Sequence, residues 1–371
     1  MVFTIRPVKE PPSEDLPELA TLVRQRIRDG GGWLSFDEFM ALMLYAPGLG
    51  YYANAAPKFG LMPSSGSDFV TAPELSPLFG RTLAAQVAQG LSATTTDKVT
   101  EFGAGSGALA AHLLDALGSA VTRYQIVELS AELRARQQAR LARFADRVTW
   151  LDRLPDAITG VVVGNELLDA MPVKLLAWDG TAWSERGVVE TGSGLAWDDL
   201  PTDLRPPLDP AFASGAVTEI HPQAQAFIRA LAERLTRGLV LLIDYGFPEA
   251  EYYHPQRSAG TLMCHQAHRA DANPLIALGR KDITAHVDFS GIALAAQDAG
   301  LDVLGYTSQG RFLINCGIAA MLQAASLPEQ VMAQRLIAEH EMGELFKVLA
   351  LGRGCNAELI GFSVGDRSHR L

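Results

Sequence analysis

The stretch EFGAGSGALAAHLL, residues 101 to 114, predicts how this chain folds. It continues an apolar strand pattern, KVTEF (98–102), and runs through Gly103, Gly105 and Gly107 into a helical pattern. Glycines permit a tight strand-to-helix turn and let a ligand approach the backbone N–H groups at the positive end of the helix. A purely structural turn explains them too, and they also satisfy the loose dinucleotide pattern GxGxxG/A. The glycines therefore predict a ligand loop without identifying its ligand.

From residue 98 onward, short apolar strands alternate with helical patterns, which is typical of an α/β fold with a parallel sheet. Predicted strands cover 98–102, 123–127, 147–151, 160–164, 239–243 and 301–306, with a last edge strand over 357–364. Predicted helices cover 106–117, 130–144, 222–236 and 290–299, and two or three more fill 316–350. Insertions at about 173–220 and 246–287 interrupt the alternation, and the first is expected to contain a hairpin turning at Asp179-Gly180.

The residues before the sheet are predicted to form an N-terminal helical cap. Three helices are expected there, over 14–29, from Ser35 to Pro47, and from Thr71 to about Leu91. Ser35 and Thr71 each have a glutamate three residues later, which is the capping-box pattern. Residues 48–69 are expected to form a long ordered loop, and the first residues a short flexible lead. We therefore divide the chain into a cap of residues 1–95 and a core of residues 96–371 with two insertions and a C-terminal helical segment.

Composition excludes several classes of protein. The 371 residues are 48% hydrophobic and 20% charged, as in ordinary globular domains, and no apolar run is long enough to span a membrane. The net charge of −11 argues against a nucleic-acid partner. Three dispersed cysteines and the single cluster CHQAHR (264–269) predict neither a disulfide framework nor a metal site. With no apolar signal core at the N-terminus, a cytoplasmic location is expected.

Acidic residues at the strand ends narrow the choice of ligand. Glu101 lies two residues before the first glycine, where its charge repels a pyrophosphate but suits the ammonium and sulfonium of S-adenosyl-L-methionine. Glu128 ends the next strand and can accept both hydroxyls of a ribose, a role that NAD sites share. Asp152, after the third strand, is a candidate for the adenine amino group. An NAD-dependent dehydrogenase stays open as the alternative.

The fourth predicted strand leaves the sheet through VVVGNELLDAMPV (161–173), which carries Asn165, Glu166 and Asp169. Ligands bind beyond the carboxyl ends of parallel strands, so these residues are expected beside the glycine loop. If they begin a helical turn, the two carboxylates share one face at i and i+3 and raise each other's pKa unless a cation lies between them. That cation is either an internal side chain such as Lys174 or a substrate.

With these motifs in order, the chain closely resembles the MidA family of S-adenosyl-L-methionine-dependent methyltransferases. The resemblance spans about 250 residues and is carried by SDFVTAPELSPLFG (67–80), EFGAGSGALA (101–110), YQIVELSAELRARQ (124–137), VVVGNELLDAMPV (161–173), IDYGF (243–247), TLMCHQAHR (261–269), DITAHVDF (282–289) and TSQGRFL (307–313). It implies a class I, Rossmann-like methyltransferase fold with an N-terminal helical cap over the donor site. It also implies methylation of an arginine in a respiratory complex I subunit.

The resulting hypothesis gives each residue a role. The cofactor is S-adenosyl-L-methionine, whose methionine carboxylate meets the loop of Gly103, Ala104, Gly105 and Gly107. Glu101 holds the ammonium, Glu128 the ribose and Asp152 the adenine, while Thr71 belongs to the segment that closes over the donor. Glu166 and Asp169 clamp a guanidinium, and Asn165 positions substrate or donor. A donor-binding scaffold without turnover is a further alternative, and the protein substrate and the oligomeric state are not specified by the sequence.

Overall fold

A computed structural model describes residues 14–54, 70–208 and 211–371. Its helices are α1 (Pro17–Asp29), α2 (Phe36–Tyr45), α3 (Ala72–Leu75), α4 (Pro77–Thr94), α5 (Ala108–Leu117), α6 (Ala131–Arg140), α7 (Pro222–Arg234), α8 (Glu249–Tyr252), α9 (Phe289–Asp298), α10 (Gln309–Asn315), α11 (Ile318–Ala324) and α12 (Leu327–Ile337). Its strands are β1 (Leu34–Ser35), β2 (Lys98–Phe102), β3 (Arg123–Val127), β4 (Val148–Leu151), β5 (Ile158–Asn165), β6 (Lys174–Trp178), β7 (Trp183–Thr191), β8 (Gly194–Pro201), β9 (Val217–Ile220), β10 (Leu235–Phe247), β11 (Met263–Gln266), β12 (Arg269–Asp271), β13 (Asp282–Thr284), β14 (Val287–Asp288), β15 (Asp302–Ser308) and β16 (Phe346–Arg353).

The central sheet has the strand order β15-β16-β10-β5-β2-β3-β4, and β14 adds a short pairing to β10. Strand β16 runs antiparallel to both of its neighbours, while the other pairings along this order are parallel. The apolar runs of β5 and β10 are buried because helices cover both faces of the sheet. The predicted α/β class and the six predicted core strands are confirmed, with β10 longer than expected.

Two predictions for the C-terminal region are wrong. The segment Phe346–Arg353, of which residues 346–350 are predicted to be helical, is strand β16, because its apolar run fills the position between β10 and β15 and pairs with both. A short apolar run fits a buried strand or a buried helix equally well, so periodicity could not decide. The predicted edge strand at 357–364 is instead an irregular segment with one helical turn at Ile360–Phe362, where the Phe362 ring packs against the bare backbone of Gly305.

The predicted helix that begins at Thr71 is divided in two. Ser76 has an extended backbone (φ −156°, ψ 133°) and separates α3 from α4, and its hydroxyl accepts the Leu78 N–H (3.2 Å) to cap α4. Neither Thr71 nor Ser35 makes a side-chain cap hydrogen bond, so both predicted capping boxes are wrong. The Glu74 side chain instead accepts hydrogen bonds from Ser106 and Arg140.

The two insertions form small sheets beside the carboxyl ends of the central strands. The first contains β6 to β9, and its hairpin turns at Asp179-Gly180 as predicted, with Asp179 Oδ1 accepting the Ala182 N–H (2.8 Å). The second contains α8 and the sheet β12-β11-β13. Buried side chains of α1, α2 and both insertions share one hydrophobic core with Ala170 and Val173. The cap helices are thereby held over the place where β5 leaves the central sheet.

Two predicted segments lie outside the described residues. They are residues 1–13 of the flexible lead and residues 55–69 of the long loop. The division near residue 95 stays a prediction, since α4 packs in the same core as α5 and the central sheet. No helix in the described ranges has the length and apolarity to cross a bilayer.

Candidate active site

A cavity of about 1240 Å³ lies at the carboxyl ends of β2, β3, β5 and β10, below the cap and the second insertion. The predicted site residues that line it are Thr71, Glu101, Gly103, Ala104, Gly105, Glu128, Asn165, Glu166 and Asp169. Two predicted residues are not among its described lining. Gly107 precedes α5 in a left-handed conformation (φ 81°), and Asp152 is exposed while its neighbours Arg153 and Leu154 line the cavity. The carboxyl edge of the sheet thus brings together most of the predicted site.

The glycine loop has a geometry that other residues adopt with difficulty. Gly103 and Gly105 have positive φ angles (67° and 52°), and a Cβ on Gly103 would lie 3.2 Å from the Leu167 side chain. Gln137 fixes the loop from below, because its Nε2 donates to Gly105 O (2.9 Å) and to Glu128 Oε2 (2.9 Å). Sequence reasoning missed Gln137, since one glutamine in a polar helix carries no local signal.

Glu101 and Glu128 are held by different partners. Glu101 is 2% exposed and accepts the Tyr124 hydroxyl (2.6 Å), and burial raises its pKa from 4.5 to about 7. Glu128 accepts the Ser130 N–H (2.8 Å) in addition to Gln137, and burial raises its pKa as well. A cation that binds against Glu101 would favour its ionised form.

Glu74 connects the cap to the glycine loop. It accepts hydrogen bonds from the Ser106 hydroxyl and from Arg140 Nη1 (2.6 Å), and Arg140 also donates to Ser106 Oγ (2.7 Å). Because Ser106 lines the cavity beside Gly105, the short helix α3 is tied directly to the predicted donor loop.

We expect Glu74→Gln to weaken binding of S-adenosyl-L-homocysteine by about 3- to 10-fold, since one charge-assisted contact to the loop is lost. Calorimetric titration measures this. Glu132→Gln is the matched control, because Glu132 is a half-buried carboxylate whose hydrogen bond goes to Arg136 within α6 instead of to the glycine loop. Equal dissociation constants for wild type and Glu74→Gln would show that the contact between Glu74 and the glycine loop does not contribute to binding.

The turn that carries Glu166 and Asp169 is not the predicted helical turn. Glu166 has a left-handed backbone (φ 51°), and its N–H donates to Ile243 O (2.8 Å), so the chain leaves β5 by a sharp bend. The buried Asp244 carboxylate accepts the backbone N–H groups that follow this bend. The carboxylates of Glu166 and Asp169 still line the same cavity, but the sharp bend places them there instead of a helical turn.

Lys174 is not the partner of this acidic pair. Its Nζ donates to Asp37 Oδ1 (3.1 Å) and Glu185 Oε1 (2.7 Å), and the ion pairs of the described residues include neither Glu166 nor Asp169. The proposed internal salt bridge through Lys174 is therefore wrong.

Two buried acceptor oxygens in this corner have no hydrogen-bond donor within the described parts of the chain. Asp169 Oδ2 accepts the Tyr245 hydroxyl, whereas Asp169 Oδ1 has no partner. Asn165 Nδ2 donates to Glu166 Oε1 (3.1 Å), which leaves Asn165 Oδ1 without one. Buried acceptors are normally satisfied, so these two oxygens are available to accept hydrogen bonds from a ligand that enters the cavity.

Burial controls the protonation of the corner. It raises the pKa of Glu166 to about 8, with a further contribution from the nearby Asp169, and raises that of Asp169 to about 6. Near neutral pH the ligand-free pair therefore tends to keep a proton. A bound cation would stabilise both carboxylates in their charged forms.

These raised pKa values predict a pH dependence of stability for the ligand-free protein. A carboxyl group whose pKa is higher in the folded state stabilises it while protonated, and that contribution is lost as pH rises through the folded pKa. We expect the melting temperature to fall as pH rises from about 4.5 to about 8, the ordinary and the raised pKa of Glu166, and Glu166→Gln to reduce the fall because glutamine does not titrate. Calorimetric scans of both proteins test this, and parallel curves would contradict it.

Aromatic rings enclose the acidic corner. Tyr45 and Tyr52 stack on each other (ring centroids 5.8 Å apart), and the Tyr45 hydroxyl donates to Ala170 O (2.7 Å). On another side, His286 lies edge-to-face with Tyr245 (5.0 Å), and burial lowers its pKa to about 4, so its imidazole is neutral. His286 does not pair with Asp288, which instead caps α9 at the Gly291 N–H. Aromatic faces beside carboxylates suit a planar cation.

No group of three or more histidine, cysteine, aspartate or glutamate side chains that could hold a metal ion occurs among the described residues. Cys264, Cys316 and Cys355 are buried and unbridged.

Comparison with known proteins identifies the family. Residues 82–307 match the model of the family described as "Putative S-adenosyl-L-methionine-dependent methyltransferase". The chain is 26% identical to "Protein arginine methyltransferase NDUFAF7 homolog, mitochondrial" of Caenorhabditis elegans, covering 93% of this chain and 89% of that protein. It is 29% identical to "Protein arginine methyltransferase NDUFAF7, mitochondrial" of Mus musculus, covering 86% and 81%.

A solved structure agrees over nearly the whole chain. The crystal structure of a "likely methyl transferase from Burkholderia thailandensis bound to S-adenosyl-homocysteine" has 50% sequence identity and a TM-score of 0.92, covering 95% of this chain and 96% of that one. S-adenosyl-L-methionine is therefore the cofactor, and the dehydrogenase alternative is wrong. The chain belongs to the MidA family of S-adenosyl-L-methionine-dependent methyltransferases, with a Rossmann-like α/β fold.

Proposed function

We propose that this methyltransferase transfers methyl groups to the guanidinium of an arginine in a protein substrate. The observation that carries the proposal is the pair of unsatisfied acceptors, Asn165 Oδ1 and Asp169 Oδ1, beside the Glu166 carboxylate. A guanidinium offers five N–H donors in one plane and a permanent positive charge, so it can satisfy all three groups at once. A lysine ammonium is a compact point charge that cannot bridge them in the same planar manner.

Charge supports the same choice of substrate. The described lining of the cavity contains five carboxyl groups, and Arg153 is its one Arg or Lys side chain. The acidic residues are Glu101, Glu128, Glu166, Asp169 and Asp282. Such a cavity attracts cations and repels anionic substrates. Relatives named as protein arginine methyltransferases support arginine as the acceptor.

The donor side of the proposal follows the loop and the two glutamates. Backbone N–H groups around Gly103, Ala104 and Gly105 would hold the methionine carboxylate, and Glu101 the ammonium. Glu128 would accept from the ribose hydroxyls. The exposed Leu129 and the half-buried Leu154 line the cavity beyond Glu128 and would flank the adenine, whereas the proposed Asp152 contact has no support from the cavity lining.

The bound cofactor supplies an electrophilic methyl group on a sulfonium. The chain's residues orient the guanidine nitrogen and take up its proton, since this nitrogen is a poor nucleophile while its lone pair is delocalised. Glu166 and Asp169 would hold the two distal N–H groups and draw positive charge toward them. One N–C bond forms as the S–C bond breaks, and the proton lost by the nitrogen goes to one of the two carboxylates.

We propose a respiratory complex I subunit as the protein substrate, as the family resemblance implies. The curated relatives are named as mitochondrial proteins, and for this chain we propose the cytoplasm, where reduced and buried cysteines are expected.

Labelled donor tests the proposal. Purified protein and methyl-labelled S-adenosyl-L-methionine are added to an extract of cells that lack the protein. We expect label in the protein fraction that resists mild alkali, as N-methyl groups do. Label only in small molecules, or label released as an ester, would contradict protein N-methylation. Donor binding without any transfer would favour the scaffold alternative.

A further inference from the structure

We propose that Asp244 is a positioning residue, which holds the Glu166–Asp169 turn in the shape that presents both carboxylates to the substrate. The effect of Asp244 on catalysis rests on the function proposed above, whereas its role in holding the turn does not. Asp244 lies in β10, the neighbour of β5 in the central sheet, and it is 1% exposed.

The contacts of Asp244 are concentrated on one turn of the chain. Its Oδ2 accepts the backbone N–H groups of Leu167 (3.1 Å), Leu168 (2.8 Å) and Asp169 (3.3 Å). Its Oδ1 accepts the Tyr245 N–H (2.9 Å). One side chain therefore satisfies three successive amide groups that strand β5 can no longer pair.

The residues on either side of Asp244 complete the support. Ile243 O accepts the Glu166 N–H (2.8 Å), and the Tyr245 hydroxyl donates to the Asp169 side chain. Three consecutive residues of β10 thus hold the bend at Glu166, the amides of residues 167–169 and the carboxylate of Asp169. A loop anchored in this way keeps its carboxylates in place without help from bound substrate.

The need for such support is visible at Glu166. Its left-handed backbone (φ 51°) is unfavourable for a residue with a Cβ, so a compensating interaction must hold it. Buried hydrogen bonds to the following amides provide that interaction. Asparagine lacks the negative charge that strengthens these bonds, and its NH₂ group would face the Tyr245 N–H, which Oδ1 accepts in the wild type.

Asp244 also contributes charge to the corner. Burial and the neighbouring Asp169 and Glu166 raise its pKa, whereas the amide N–H groups oppose that rise. Replacing it with a neutral side chain removes one carboxyl group from the acidic cluster.

Two variants and two readouts test the proposal. We expect Asp244→Asn to lower kcat by about 10- to 100-fold with little change in KM for the donor, because the carboxylates are displaced while the glycine loop is intact. Hydrogen exchange at the amides of Leu167, Leu168 and Asp169, resolved by fragmentation mass spectrometry, should accelerate at least about 10-fold. Asp244→Glu, which keeps the charge but moves it by one methylene, replaces Asp244→Asn if that variant does not fold.

Asp288→Asn is the matched control. Asp288 is equally buried and caps α9 through the Gly291 N–H (3.1 Å), so its replacement should accelerate exchange at α9 and leave residues 167–169 protected. Unchanged exchange at 167–169 in the Asp244 variants would overturn the proposal, as would accelerated exchange with unchanged kcat. If the wild type methylates no arginine, the proposed function fails, and the exchange measurement still decides whether Asp244 holds the turn.

Discussion

Glu166→Gln is expected to lower methyl transfer by about 100- to 1,000-fold while leaving the affinity for S-adenosyl-L-homocysteine within about twofold of wild type. The carboxylate is proposed to bind the guanidinium, to localise its charge and to share in accepting its proton. Glutamine keeps the size of the side chain but presents an NH₂ group to a cationic substrate. Single-turnover transfer with saturating donor isolates the chemical step, and calorimetry measures binding.

The control for this variant is Glu185→Gln. Glu185 is a partly buried carboxylate in β7 that pairs with Lys174 and does not line the cavity, so its loss should leave transfer nearly unchanged. Retention of more than half of wild-type transfer by Glu166→Gln would remove Glu166 from the mechanism. Loss of donor affinity alone would assign Glu166 to the donor side of the cavity.

Glu101→Gln is expected to weaken binding of S-adenosyl-L-homocysteine by about 10- to 100-fold, because one buried charge-assisted contact is lost. The reason is the proposed contact with the donor ammonium at the end of β2. Because burial raises the pKa of Glu101 to about 7, wild-type affinity should decline as pH falls below 7 and the carboxylate is protonated. Calorimetric titrations between pH 6 and pH 8 measure both effects.

Tyr124→Phe provides the control for Glu101. The Tyr124 hydroxyl donates to Glu101 Oε2, and this hydrogen bond lowers the pKa of Glu101. Its removal should move the midpoint of the binding curve to higher pH while leaving high-pH affinity nearly unchanged. A Glu101→Gln protein that binds as tightly as wild type at pH 8 would show that Glu101 does not contact the donor.

Much of the cavity lining that is proposed to hold the donor could be predicted from local sequence. The glycine loop and Glu101 lie within seven residues of each other, and the strand, turn and helix patterns that surround them are all local. The carboxyl ends of parallel strands meet at one edge, so adding Glu128 and Asn165 required only the order of elements. These residues line the cavity as that reasoning expected.

The support for the site could not be predicted in the same way. Asp244 acts on residues 75 to 77 positions earlier in the chain, and an aspartate at a strand end is common. Gln137 looks like any polar residue of a surface helix. The partner of Lys174 was also undecidable, because several carboxylates lie within reach along the sequence and only the packing of α2 against the first insertion selects Asp37 and Glu185.

The chemical identity of the methylated residue tests the central claim most directly. Protein labelled by the purified enzyme is hydrolysed to amino acids, and the labelled products are separated by mass spectrometry. We predict methylated arginine from wild type and at least about 100-fold less from Glu166→Gln. Label in methylated lysine, histidine or glutamine with none in arginine would contradict the assignment of the acidic corner to a guanidinium.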